Sequence, residues 1–285
     1  MTVFKAAAIQ MRSTPDPARN IAAMTGLVRE AAGNGASYVQ TPEMTGALMR
    51  DRAGLLAIVC DEAGDPVCAA ASGLAREYGI WLHVGSTPIA CGGGRVANRA
   101  LLFAPDGGVR ARYDKIHMFD VDLDNGESWR ESATYRPGTG TVVVDTPLAT
   151  IGMAICYDIR FPQLFRKQAE AGATVLTAPA AFTRQTGAAH WHVLQRARAI
   201  ECGAFVISAA QGGTHEDGRE TFGHSIIVDP WGVVIAEAAH HDPAVVIAEI
   251  DTSRSAAVRA RIPNLKNARA FTVSHIATGP QEAVA

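Results

Sequence analysis

The sequence predicts an α/β fold, and three observations predict it. Short apolar runs recur along the 285 residues, segments of helical spacing lie between several of them, and glycines close those segments. The strand-like runs are Phe4 to Ile9, Ser37 to Gln40, Ile80 to Gly85, Ala100 to Phe103, Thr141 to Val144, Thr150 to Ile155, Thr174 to Thr177, Phe205 to Ala209, Ser225 to Val228 and Ala244 to Ile250.

The helices follow from spacing and caps. From Asn20 to Ala32, residues Ile21, Met24, Leu27, Val28 and Ala31 recur at helical intervals, and Gly33 and Gly35 stop the run. Asp65-Pro66 is an N-cap with Pro in the first turn, opening a helix to about Tyr78 before Gly79. Phe161 to Ala171 and Ala188 to Cys202 are two more, ended by Gly172 and Gly203. Two stretches break the alternation and resemble each other. Ala100 to Val109 and Ser225 to Val234 each read as strand, Pro/Asp/Gly turn, strand, the pattern of a β-hairpin. A hairpin after each α/β alternation suggests two pseudo-equivalent halves packed sheet to sheet. No Pro- or Ser-rich linker divides them, so the expectation is one domain over 1–285, with a core from about residue 3 to 272.

Composition narrows the partners. Hydrophobic residues make up 48% of the chain, enough for a sizeable core at this length. A formal net charge of −2 gives no electrostatic footprint for nucleic acid. No apolar run approaches the ~18 residues of a membrane span, and the N-terminus lacks the pattern of a signal peptide. Five cysteines with no CxxC pair suit free thiols in a reducing compartment, so a cytoplasmic location is expected. The nine histidines are scattered, and His240-His241-Asp242 reads as a polar turn, so no metal site is expected. The partner that remains is a small molecule.

Cys156 is the foremost candidate nucleophile. The apolar run Ile151 to Ile155 ends abruptly at this thiol and a polar turn, and a helix begins near Pro162. A strand that fixes the nucleophile, a turn that exposes it and N–H groups beyond it suit covalent catalysis. An isolated cysteine is more often a small buried hydrophobe, and Cys60, Cys68, Cys91 and Cys202 take that reading. A thiol of ordinary pKa ~8.5 needs a neighbouring cation or base. Lys115 follows directly on the first hairpin, and Glu43 follows the strand Ser37 to Gln40. Alone, each is an ordinary solvated side chain.

Together they are not ordinary. Thr41-Pro42-Glu43-Met44, Tyr113-Asp114-Lys115-Ile116-His117 and Ile155-Cys156-Tyr157-Asp158-Ile159-Arg160-Phe161-Pro162, in that order, resemble the three signature segments of the nitrilase superfamily of carbon–nitrogen hydrolases. The resemblance runs from Ala6 to Gly232. It implies a four-layer α-β-β-α sandwich, a Glu-Lys-Cys catalytic set, no cofactor, and assembly as a homodimer or higher homo-oligomer. In the mechanism it implies, Glu43 takes the thiol proton and Cys156 attacks an amide carbonyl. Lys115 and the Tyr157 N–H hold the oxyanion, ammonia leaves, and water activated by Glu43 hydrolyses the thioester. Glu131, in the Arg-Glu-Ser segment before Pro137-Gly138, matches the family's second glutamate, with Glu127 as the competing choice.

Ala180 to Trp191 and Leu194 to Glu201 resemble the Nit-type amidase branch, which includes ω-amidases of 2-oxoglutaramate and deaminated glutathione amidases. Phe119 to Asp122, Arg130 to Ser132 and Ala209 to His215 lean towards the second. The implied substrate is a terminal carboxamide near a carboxylate or keto acid, with Tyr157, Arg160, Arg184, His190 and Gln211 as candidate binding residues. His192 departs from the branch, which usually has Glu after His-Trp. Other aliphatic amidases, carbamoylases and nitrilases share the chemistry up to the thioester. A non-catalytic binding protein on the same fold is the alternative of another class.

Overall fold

In the computed structural model, which describes residues 2–123 and 126–276, the apolar runs form two six-stranded sheets. In chain order the first half comprises β1 (Val3–Gln10), α1 (Pro17–Gly33), β2 (Tyr38–Gln40), α2 (Arg52–Ile58), α3 (Pro66–Tyr78), β3 (Trp81–Ala90), β4 (Val96–Phe103) and β5 (Val109–Asp114). A small hairpin, β6 (Asp120–Asp122) and β7 (Ser128–Arg130), follows. The second half comprises β8 (Val142–Asp145), β9 (Thr150–Met153), α4 (Pro162–Glu170), β10 (Val175–Thr177), α5 (Arg184–Cys202) and β11 (Phe205–Ser208). It continues with a second small hairpin, β12 (Gly212–Thr214) and β13 (Glu220–Phe222), then β14 (Ile226–Val228), β15 (Val234–Glu237), β16 (Ala244–Asp251) and α6 (Ser253–Arg261).

The two sheets share one plan. Strands β1, β2 and β3 run parallel, the hairpin β4–β5 is added antiparallel beside β3, and β16 lies antiparallel on β1. In the second sheet β9, β10 and β11 run parallel, the hairpin β14–β15 is added beside β11, and β8 lies antiparallel on β9. The pseudo-equivalent halves read from the two hairpins are present.

Side-chain alternation sorts the layers. In β1, Ala6 and Ala8 join a core that includes Ile151, Val175 and Ile207 of the second sheet, while Ala7 and Ile9 join a core with Met24 of α1 and Leu74 of α3. In β4, Ala100 and Leu102 face the second sheet while Leu101 and Phe103 face the helices. Phe165 of α4 and Trp191 of α5 pack on the second sheet. The result is an α-β-β-α sandwich.

Several element ends differ from those the sequence predicts, each for a local reason. The first helix starts at Pro17, because the Asp16 carboxylate caps Ala18 N–H at 2.8 Å. The long helix of the second half starts at Arg184 rather than Ala188, with Thr183 as its cap. Gly187 lies inside it because a Cβ there would come within 2.3 Å of Phe222. The helices α2 and α6 carry one buried residue each, Leu55 and Ser255, too little apolar periodicity to read in advance. Met1, residues 124–125 and residues 277–285 of the expected 1–285 span lie outside the described residues.

Candidate active site

Beyond β9 the chain turns at Cys156, which has a left-handed φ of 48°. This is uncommon for a side-chain-bearing residue and is retained only where the surroundings impose it. The surroundings here are specific. Cys156 N–H donates to the Pro179 carbonyl at 2.9 Å, and a 3₁₀ turn runs from Cys156 to Arg160. Asp158, fully buried in that turn, accepts from Tyr113 Oη at 2.6 Å and from the Ile155 N–H at 2.9 Å. Its other oxygen accepts from the His117 N–H at 3.2 Å and lies 2.7 Å from His117 Nδ1. One carboxylate thus ties the thiol's turn to the segment that carries Lys115.

The structure brings Glu43, Lys115, Glu131 and Cys156 together. Glu43 follows β2 on a loop that lies directly against Gly85 of β3. A Cβ on Gly85 would stand 2.0 Å from the Thr41 carbonyl oxygen. Lys115, one residue past β5, donates to Glu43 Oε1 at 2.9 Å and to Glu131 Oε1 and Oε2 at 3.0 and 2.8 Å. Its side chain is 2% exposed, so these are bonds of a desolvated ion pair. Glu131, not Glu127, is the glutamate on the lysine. The Phe119 N–H also holds it, at 2.7 Å, and the Gly138 N–H bonds the Lys115 carbonyl at 2.8 Å behind it. Gly138 has no room for a side chain, because a Cβ would lie 2.2 Å from the Asp114 carbonyl oxygen.

Electrostatics set the resting protonation. Burial alone favours the neutral acid at Glu43, but the Lys115 ammonium and hydrogen bonds from Cys156, Lys115 and Asn98 outweigh it and hold the carboxyl below its ordinary 4.5. Burial opposes charge on Lys115, yet Glu131 and Glu43 raise its pKa well above 10.5. Burial and the Glu43 charge push the Cys156 thiol well above 9.0, against the pull of Lys115. The resting constellation is therefore a neutral thiol hydrogen-bonded to a carboxylate, beside an ammonium.

These four residues line one cavity of about 270 Å³. Tyr157 and Arg160 line it too, with the Arg160 guanidinium 5.3 Å from the Phe182 ring centroid. The other expected binding residues lie elsewhere. His190 is exposed, its Nδ1 3.2 Å from the Arg160 guanidinium. Arg184, in the first turn of α5, is exposed and pairs with Glu220 at 3.0 Å. Gln211 lies beneath the surface of the fold. Fully buried, it donates to Ser13 Oγ at 2.7 Å and to the Glu43 carbonyl at 2.9 Å, and accepts from the Ser13 N–H at 2.9 Å. Its amide braces the Glu43 loop and does not line the cavity.

A carbon-nitrogen hydrolase family model matches residues 5–260. The chain belongs to that family. The deaminated glutathione amidase of Yersinia enterocolitica is 38% identical over 267 residues, covering 92% of either chain. The human omega-amidase NIT2 is 34% identical over 269 residues, covering 94% of this chain and 96% of its own. Among solved structures, Nit3 of Saccharomyces cerevisiae, a member of branch 10 of the nitrilase superfamily, aligns with a TM-score of 0.82 at 28% identity. That alignment covers 92% of this chain and 95% of Nit3. This carbon–nitrogen hydrolase is accordingly an amidohydrolase, acting on carbon–nitrogen bonds other than peptide bonds.

Sequence reasoning about this hydrolase missed three groups. Asn98 of β4 donates one amide to both carboxylates, Glu43 Oε1 at 2.9 Å and Glu131 Oε1 at 3.1 Å. Arg50 and Arg219 stand over Trp129, 4.4 and 4.5 Å from its ring, and all three line the cavity. Outside the cavity, His192, His224 and Glu237 converge, so the histidines are less scattered in space than along the chain. His240 keeps the turn reading, its Nδ1 accepting from the Asp242 N–H at 3.2 Å.

Proposed function

We propose that this hydrolase releases ammonia from the terminal carboxamide of a small carboxylate-bearing substrate of the deaminated glutathione class, through a thioester on Cys156. The observation that supports it is the meeting of a thiol, a carboxylate and an ammonium in one cavity. Glu43 takes the thiol proton as Cys156 Sγ attacks the carbonyl carbon. Lys115 and the Tyr157 N–H stabilise the oxyanion, and Glu43 returns the proton to the departing ammonia. Glu43 then deprotonates the water that opens the thioester and passes that proton to the departing Cys156 sulfur. Asn98 and Glu131 hold Lys115 and Glu43 at fixed distance, so little reorganisation accompanies charge movement. No step calls for a metal or an organic cofactor.

The carboxylate preference rests on charge. Arg50, Arg52, Arg130, Arg160 and Arg219 line the cavity, against Glu43, Asp51 and Glu131, and two of those acids are already neutralising Lys115. Arg160 ends the nucleophile's own turn and suits a carboxylate or keto acid near the scissile amide; Arg50 and Arg219 suit a second anionic group near Trp129.

The test is ammonia release from deaminated glutathione, 2-oxoglutaramate, neutral amides, N-carbamoyl amino acids and nitriles, with Cys156→Ala as control. Fastest turnover of deaminated glutathione, abolished in the variant, supports the reading. Preference for 2-oxoglutaramate reassigns the substrate, and equal turnover by Cys156→Ala removes the mechanism.

We further infer one domain working as a cytoplasmic homodimer or higher homo-oligomer. Free cysteines support the compartment. Exposed Val193 and Ile200 on α5, with Trp231 and Val233 of the β14–β15 turn, support self-association. A monomeric mass by light scattering would remove the dimer.

A further inference from the structure

We infer that His192, His224 and Glu237 form a divalent transition-metal site of the zinc class, separate from the catalytic cavity. The three come from different elements. His192 projects from the middle of α5, His224 lies between β13 and β14, and Glu237 ends β15. His192 Nε2 is 2.8 Å from Glu237 Oε1, and His224 Nδ1 is 2.7 Å from the same oxygen. All three ligand atoms lie within 4.8 Å of one another, and no other three His, Cys, Asp or Glu side chains gather this way among the described residues.

The donor set fits the ion. Two imidazole nitrogens and one carboxylate oxygen, with a fourth position open to water, suit Zn²⁺ and its neighbours better than Mg²⁺ or Ca²⁺, which prefer all-oxygen shells. Bonds of about 2.0–2.1 Å in a tetrahedron place ligand atoms roughly 3.3–3.5 Å apart. At 2.8 and 2.7 Å, Glu237 Oε1 stands closer to the imidazole nitrogens than that, so an ion would draw it outward by roughly 0.5–0.8 Å. The rings are posed for it. They meet edge-to-face at 76°, and one nitrogen of each lies against the same Glu237 oxygen. Phe222 stacks on His224 at 4.2 Å, and the backbone at His224 has a left-handed φ of 57°.

Access and company agree. The side chains are 38%, 18% and 22% exposed for His192, His224 and Glu237, so a hydrated ion can reach them. A hydrogen-bonded bridge needs only one imidazole on the carboxylate; the second adds a ligand. None of the three lines the catalytic cavity. The neighbouring Trp191 donates Nε1–H to the His224 carbonyl at 2.8 Å and packs edge-on against Phe182, a cavity residue. A bound ion would staple α5 to β15 and stiffen that wall from outside.

The experiment titrates Zn²⁺ and Co²⁺ into metal-free Cys156→Ala protein, so that the active-site thiol cannot compete. Calorimetry, Co²⁺ absorption and thermal unfolding are the readouts, and none depends on turnover. One equivalent should bind, with a Co²⁺ spectrum free of thiolate charge transfer and a raised Tm. Adding His192→Ala or Glu237→Gln should weaken binding at least about tenfold and remove the Tm shift, while His240→Ala changes neither. Circular dichroism without metal checks that each variant is folded. Absence of stoichiometric binding, or the same affinity in folded His192→Ala protein, overturns the site.

Discussion

At the scale of single residues the site is an exercise in keeping a proton on sulfur. Glu43 is held ionised below 4.5 while burial and that same charge keep the Cys156 thiol neutral. The sign of the pH dependence follows. The active form has Glu43 deprotonated, so kcat/KM should fall only as pH drops below the ordinary carboxylate range. The thiol is already the working species and its own titration is pushed well above 9.0, so no rise should appear near the free-cysteine value of ~8.5, as it would for an enzyme that must first make thiolate. A flat profile from about pH 6 to pH 9 is expected, and a limb climbing through pH 8 counts against Glu43 as the base. Lys115 should be the least replaceable neighbour. Lys115→Met removes the oxyanion's cation, about 10²–10³ in kcat. It also strands two buried carboxylates, about 3–5 kcal/mol of stability, read as a lowered Tm. Asn98→Ala is gentler, because the ion pairs survive: a fall of about tenfold in kcat with KM little changed is expected for loss of one positioning amide. Asn98 shows why part of the site was hidden in the sequence. Cys156, Glu43 and Lys115 each stand just beyond a strand, where a polar residue after an apolar run is conspicuous. Asn98 lies inside β4 with Arg99 next to it, and nothing local distinguishes an inward amide from an outward one.

Elements place those residues through close backbone contacts that a sequence records as unremarkable glycines. The Glu43 loop and β3 touch at Gly85, where even a methyl group would overlap the Thr41 carbonyl and approach the Pro42 carbonyl carbon to 2.7 Å. Gly85→Ala should therefore push the loop outward, lengthening the Glu43–Lys115 contact and lowering kcat by more than the accompanying loss of Tm explains. Unchanged turnover in a folded Gly85→Ala protein would mean that the loop position is not what sets the base. The same glycine ended the predicted strand too early, because glycine in an apolar run looks like a stop when it is in fact a point of close approach. The metal-binding trio was illegible for a different reason. His192 lies 45 residues from Glu237 and on another element, and no local pattern couples them.

For the whole molecule the decisive surface is the one between the two sheets, and its polar content gives the last prediction. The hairpins foretold two like halves, but not what lies between them. Gln40 of β2 accepts from the Ala209 N–H at 2.8 Å, crossing from one sheet to the other. Beside it, His83 of β3 is fully buried, its Nδ1 2.8 Å from Tyr38 Oη. Burial moves the His83 pKa from 6.5 down to about 3. A histidine depressed in the folded state is neutral there while its unfolded counterpart takes a proton below pH 6.5. The unfolded state thus binds more protons between pH 6.5 and about 3, and stability falls as pH drops through that window. Carboxylates contribute to acid unfolding as well, so the comparison is with His83→Gln. That variant should have a lower Tm at pH 7, from disturbed bonds to Tyr38 and Gln40, yet a shallower decline towards pH 4.5. At pH 5 its unfolding should take up about one proton fewer than the parent's, measured from the slope of unfolding free energy against pH in urea. Parallel slopes for the two proteins would place the acid sensitivity of this sandwich elsewhere, in the buried carboxylates of the catalytic cavity.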